Sequence, residues 1–208
     1  EQMSYEGFVA GNLLGQYFTA VDFNLFDRHS LTEPQLGGNP WPVIYTNLRD
    51  NEIILDKSRN NPSFAVYEGP ALILKAYMTA ALTDIYGNVP YSEALQGKSG
   101  NVTPKYDQQE AIYTAPGGIL DNLDKGIAAI QNYNGAQPLN GDILFNKNLA
   151  AWVTFANTLK IKYLMRISYK SVVGPQLQAI YDGGNYMKTN AQNAKFDFTD
   201  GAPNNFRL

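Results

Sequence analysis

The sequence contains no cysteine and a single histidine, His29. Without cysteine there is no disulfide framework, no thiolate nucleophile and no Cys-based zinc ribbon. With one histidine, a zinc site built from several imidazoles is excluded, and a Ser-His-Asp triad has only one base to draw on. Ser30 follows His29 directly, but neighbours in sequence do not make a triad. Charge is sparse as well. Charged residues make up 17% of the chain and the net charge is -3, so there is no basic field to hold a phosphate backbone and no nucleic-acid partner is expected. Long apolar runs are missing too. The longest, Ala71 to Leu82, is interrupted by Lys75 and is shorter than the ~20 residues that a spanning helix needs. Gly11 and Gly15 are not followed by the Lys-Ser or Lys-Thr of a phosphate loop. No initiator Met, basic n-region or apolar h-region precedes Glu1. The chain therefore reads as a mature or trimmed product, with any export signal or lipid-attachment cysteine upstream.

What is present describes a folded protein. With 208 residues, 44% of them hydrophobic, the chain is long enough for one buried core, and residues 1–208 are expected to form a single domain. Five stretches repeat apolar residues at intervals of three and four, as core-facing helices do. The clearest is Asn148 to Tyr169, with Trp152, Ala156, Leu159, Tyr163 and Ile167 on one stripe. A second runs from Asp107 towards Tyr133; Asp107 and Glu110 have capping-box spacing, and Pro116-Gly-Gly118 should bend it. The others are Trp41 to Lys57, Tyr67 to Tyr86, and one within Tyr5 to Val21. Gly-, Pro- and Asn-rich loops separate them: Arg28 to Pro40, Gly87 to Pro104, Asn134 to Asn146 and Gly183 to Asn193. Only Lys195 to Thr199 alternates as a strand. The expected class is mainly all-α, with degenerate tetratricopeptide-like helix pairs, long irregular loops and little strand, since the full repeat consensus is missing.

Catalysis has few footholds. A glycoside hydrolase needs two carboxylates at controlled separation, one with a raised pKa. The pairs at hand are Asp84 with Glu93, Asp107 with Glu110, and Asp121 with Asp124. The second reads better as a helix cap and the third as a solvated helical face. Asp197, Asp200 and Asn204 offer oxygen ligands, but a strand followed by a turn explains them, and neither metal nor cofactor is expected. The aromatic content is more telling. Fourteen Tyr, ten Phe and two Trp suit both a helical core and the apolar face of a sugar. Trp152, Phe155 and Trp41 lie on helical stripes and read as packing. The loop Asp22 to Ser30 instead mixes Phe23 and Phe26 with Asn24, Arg28 and His29 outside any strong periodicity. Such a mixture suits a ligand surface, and equally a loop whose phenylalanines plug the core.

Two segments carry a family resemblance. Thr83-Asp-Ile-Tyr-Gly-Asn-Val-Pro-Tyr-Ser-Glu-Ala-Leu95 is similar to a helix that stops at Tyr-Gly-Asp-Val-Pro and runs into a short extended segment. Trp152-Val-Thr-Phe-Ala-Asn-Thr-Leu-Lys-Ile-Lys-Tyr-Leu-Met-Arg-Ile-Ser168 is similar to a Trp-x-x-Phe-Ala-Asn-Ser-Leu-Lys-x-Arg helix. Between them lie a Tyr106-Asp-x-x-Glu110 helix start and a Leu120-Asp face, and upstream Trp41, Tyr45 and Asn51 fall in a matching helical pattern. Together these resemble the SusD/RagB family of nutrient-binding outer-membrane lipoproteins, over nearly the whole chain. The resemblance implies a surface-exposed, lipid-anchored protein of the cell outer membrane that binds an oligosaccharide, or in some relatives a peptide. It implies delivery of that ligand to a SusC-like TonB-dependent transporter, with no bond broken. By position, it places ligand contacts on Phe23, Phe26, Arg28, His29 and Asn39. Members of the family are considerably longer, so the C-terminal half is expected to be missing here. Asn88 also replaces the usual Asp, and Pro116-Gly-Gly118 interrupts a helix that is normally continuous. A glycoside hydrolase and a protein-binding helical scaffold stay open as rivals.

Overall fold

In the computed structural model, which describes residues 11–21, 28 and 40–196, the apolar stripes of the sequence become helices. These are α1 (Pro40–Asn60), α2 (Glu68–Tyr86), α3 (Gln109–Thr114), α4 (Ile119–Asn132), α5 (Leu149–Ile167) and α6 (Gly174–Gly183). The described strands, β1 (Val89–Pro90) and β2 (Tyr106–Asp107), form one short antiparallel ladder with Val89 opposite Asp107. The architecture is mainly α, as expected. Contacts divide the chain into two compact units, residues 1–47 and 48–208. In the first, residues 11–14 form a helical turn, and the Trp41 and Tyr45 rings, one turn apart at the start of α1, lie 5.0 Å centroid to centroid.

The second unit holds the helix pairs. The part of α1 from Leu48 onwards buries Leu55 against Ala71 and Leu72 of α2, and the Asn51 amide donates to the Ala71 carbonyl at 2.9 Å. α2 packs in turn on α4, and their backbones come close where two glycines meet. A Cβ added to Gly69 would lie 2.8 Å from the Gly126 carbonyl oxygen, and one added to Gly126 would lie 3.0 Å from the Gly69 carbonyl oxygen. α5 is N-capped by Asn148, whose side chain accepts from Ala151 N at 3.1 Å, and buries Trp152, Leu159 and Tyr163. That is the stripe expected of it.

α2 ends as the sequence indicates. Gly87 adopts φ 74°, its N–H donates to Thr83 O at 2.8 Å, and Val89–Pro90 continues as extended chain. Beyond this point several expectations need correction. Asp107 does not cap a helix. It sits in β2, where its carboxylate accepts from Tyr91 N (3.0 Å), Ser92 N (2.7 Å) and Ser92 Oγ (2.9 Å). The start of α3 is served instead from across the ladder by Asn88, whose Oδ1 accepts from Gln109 N at 3.0 Å.

The expected continuous helix from Asp107 to Tyr133 is two helices, with a full break at residues 115–118. Gly117 is left-handed at φ 79°. Its N–H donates to Asp121 at 2.6 Å, and its carbonyl accepts from Asn122 at 2.8 Å and from the Tyr91 hydroxyl. At Gly118 a Cβ would approach the Ile112 carbonyl oxygen to 2.6 Å. Pro116-Gly-Gly118 is thus a turn that only small, permissive residues make, locked by partners on both sides. Lys195 and Phe196 carry no strand, and the rest of the segment expected as a strand lies outside the described residues.

Candidate functional site

The carboxylates that a hydrolase would need are committed elsewhere. Asp84 accepts from the Tyr113 hydroxyl at 2.7 Å and pairs with Arg166 at 3.3 Å. Glu93 holds Lys105 at 3.2 Å, Asp121 holds Lys125 at 2.7 Å, and Asp124 pairs with Lys160. Hydrogen bonds from the backbone and the ammonium of Lys105 depress the Glu93 pKa, and the bond to Lys125 depresses that of Asp121. For Asp107, partial desolvation pushes the pKa up but is outweighed by the Ser92 and Tyr91 bonds, so the net shift is downward. A glycosidase acid requires the opposite displacement.

A better-formed site lies at the start of α5, where an open pocket of about 660 Å³ runs between two loops. Asp142 builds the first wall. Its carboxylate accepts from the backbone N–H groups of Leu144 (3.0 Å), Phe145 (3.1 Å) and Lys147 (3.0 Å), and from Trp152 Nε1 (3.0 Å). An ionised acceptor gripping several amides is a strong organiser of a turn. It holds Asn146 and Lys147 at φ 49° and 71°, a conformation that non-glycine residues adopt rarely and that structures retain where their surroundings enforce it. The Phe145 ring is anchored edge-on to Trp152, with centroids 5.3 Å apart.

The second wall is the segment after α6, tied to α5 by two threonines one turn apart. Thr154 Oγ1 donates to Asn185 Oδ1 at 2.6 Å, and Thr158 Oγ1 accepts from Met187 N at 2.9 Å. Gln192 Oε1 then accepts from Lys188 N (2.8 Å) and Thr189 N (3.1 Å), closing a short capping box. Between the walls, Asn146 and Asn193 line the pocket. Each amide offers both donors and an acceptor, the complement of a hydroxyl-bearing ligand. With the Asp142 carboxylate already saturated by four donors, the pocket is equipped to bind a polyhydroxylated molecule.

Of the residues singled out in the sequence, Phe23, Phe26, His29 and Asn39 lie outside the described residues, as do Asp197, Asp200 and Asn204; Arg28 is exposed. Among the described residues no group of three or more His, Cys, Asp or Glu side chains is placed to hold a metal ion. No described helix is long and apolar enough to cross a membrane. Sequence reasoning missed Asp142, Asn146 and Asn193. The available signal was the turn-forming run Asn140-Gly-Asp142 immediately ahead of the Trp152 helix.

A family profile described as SusD-like, starch-binding associating with outer membrane, matches residues 3–208. The chain belongs to the SusD-like family. Its fold agrees with that assignment. A SusD/RagB family protein from Bacteroides thetaiotaomicron VPI-5482 superposes with a TM-score of 0.75 and 27% identity, over 94% of this chain and 41% of that one. A chitin-binding protein gives a TM-score of 0.60 at 31% identity, over 74% of this chain and 32% of that one. An outer membrane protein from Bacteroides vulgatus ATCC 8482, linked to nutrient binding, gives 0.68 at 26% identity, over 87% and 38%. This SusD-like chain therefore spans about two-fifths or less of the length of these solved structures. No curated protein matches it.

Proposed function

We propose that this chain is the helical part of a surface-exposed, lipid-anchored glycan-binding protein that delivers oligosaccharide to a SusC-like TonB-dependent transporter without cleaving it. The observation that carries the proposal is the match of a starch-binding, outer-membrane-associating family over residues 3–208. The pocket at the start of α5 supports it, since side-chain amides beside an anchored aromatic ring suit sugar hydroxyls and a sugar face. The downward-shifted carboxylates argue for binding without hydrolysis. By sequence, the loop Asp22 to Asn39 is a further contact segment through Phe23, Phe26, Arg28, His29 and Asn39.

Incubating the protein with a panel of polysaccharides, and recording both retention and released reducing ends, tests the binding step. Retention without release is expected. Release that disappears in Asp84→Asn or Glu93→Gln would make the protein a hydrolase, and retention of no glycan would leave the protein-binding scaffold. The delivery step is tested by purifying the native complex. A co-purifying β-barrel is expected, and its absence would refute the transporter assignment.

A further inference from the structure

Beside the pocket the chain presents an aromatic surface that the site described above does not use. α6 stops at Gly183-Gly184, where Gly184 is left-handed at φ 66° and its N–H donates to Ile180 O (3.2 Å) and Tyr181 O (3.1 Å). This closing turn reverses the chain, so that Tyr186 returns against the last turn of the helix it has just left. The Tyr181 and Tyr186 rings then lie nearly parallel, 26° apart in plane with centroids separated by 6.3 Å. Lys188 Nζ sits 4.8 Å from the centre of the Tyr186 ring. Tyr186 is therefore occupied by Tyr181 and Lys188, whereas Tyr181 remains 66% exposed.

A large ring left open to water while its plane is fixed by a neighbour is a pre-organised stacking surface, because little side-chain freedom remains to be lost on binding. Its location gives it a partner. Asn185 lines the pocket and immediately precedes Tyr186, and Thr154 and Thr158 fasten this same segment to α5. The pocket and the tyrosine platform are thus held by one short stretch of chain.

We infer that Tyr181 is a stacking subsite for a sugar ring next to the amide pocket, and that the two together select a chain of sugar units over a single sugar. This inference rests on the glycan-binding function proposed above. One unit bonds through its hydroxyls to the amides of Asn146 and Asn193, and another lays its apolar C–H face on Tyr181.

The test is calorimetric titration of the protein with mono- to hexasaccharides of the malto- and chito- series, comparing wild type with Tyr181→Ala and Tyr181→Phe. Wild-type affinity should rise with chain length. Tyr181→Ala should weaken hexasaccharide binding about tenfold, the effect of losing one aromatic face, while leaving monosaccharide affinity and the melting temperature unchanged. Tyr181→Phe, which keeps the face and removes only the hydroxyl, should bind as wild type. If wild type binds a hexasaccharide and Tyr181→Ala binds it equally well, the subsite is refuted and the glycan function stands. If wild type binds neither series, the glycan function fails and the subsite falls with it.

Discussion

Replacing Gly126 or Gly69 with alanine tests how closely α2 and α4 pack, because two known effects act with opposite signs. In an open helix, glycine to alanine is stabilising by about 1 kcal/mol, through backbone entropy and helix propensity. Here the added methyl has nowhere to go. At Gly126 it would lie 2.9 Å from Ile73 Cγ1 and 3.0 Å from the Gly69 carbonyl oxygen; at Gly69 it would lie 2.4 Å from Ile130 Cγ1 and 2.8 Å from the Gly126 carbonyl oxygen. A side-chain carbon can rotate away, but a carbonyl oxygen moves only with its helix. Forcing a methyl into such a contact costs about 1–3 kcal/mol. Gly126→Ala, which also collects the propensity gain, is therefore expected to destabilise by about 0–2 kcal/mol. Gly69 is the second residue of its helix, where propensity counts for less, and its contacts are shorter, so Gly69→Ala should lose about 1–3 kcal/mol. Gly174→Ala is the control. It opens α6 and its methyl would meet nothing within 4 Å, so its stability should be unchanged or slightly raised. Urea unfolding followed by far-ultraviolet circular dichroism ranks the three by midpoint. If Gly69→Ala and Gly126→Ala unfold at or above the midpoint of Gly174→Ala, the two helices are not in backbone contact.

Trp152 is 3% exposed, so Trp152→Ala should destabilise by about 3–5 kcal/mol, and an unchanged melting temperature would contradict the α5 core. Glu93, Asp107 and Asp121 all have folded-state pKa values below their ordinary ones. The stability they contribute is complete above the unfolded values, near about pH 4, and is lost as pH falls through the folded ones. The urea midpoint should accordingly fall on acidification from about pH 5, less steeply in Asp107→Asn; a flat profile would remove these bonds from the stability balance. Phe26→Ala should weaken glycan binding about tenfold at constant melting temperature, and the reverse pattern would make Phe26 a core residue.

The helices legible in the sequence are those whose apolar stripes are buried. α1, α2 and α5 fall where the spacing of Trp41, Leu72 and Trp152 with their neighbours puts them. α6 escapes a reading of the sequence because it buries none of its residues and so leaves no stripe to detect. Asp107 shows the opposite failure. Its spacing from Glu110 satisfies a local capping rule, but the backbone of Tyr91 and Ser92, more than a dozen residues away, competes for the carboxylate and wins. Pro116-Gly-Gly118 is visible as an interruption, yet its depth depends on Tyr91 and Asn122 gripping the Gly117 carbonyl, contacts that no local pattern reveals. The pocket is illegible for the same reason. Asn146 and Asn193 become neighbours only after the segment following α6 folds back onto α5.

Asp142 ties the pocket wall and the core tryptophan to one carboxylate, which makes ligand affinity a gauge of the interior. A ligand that needs the wall in its bound shape binds only molecules in which Trp152 is seated, so occupancy must stabilise the α5 core by mass action, by about 2.7 kcal/mol at a hundredfold excess over Kd. The converse holds for damage. A substitution that loosens the packing beneath Trp152 frees the loop above it, and such variants should stop retaining glycan while their helices are still intact.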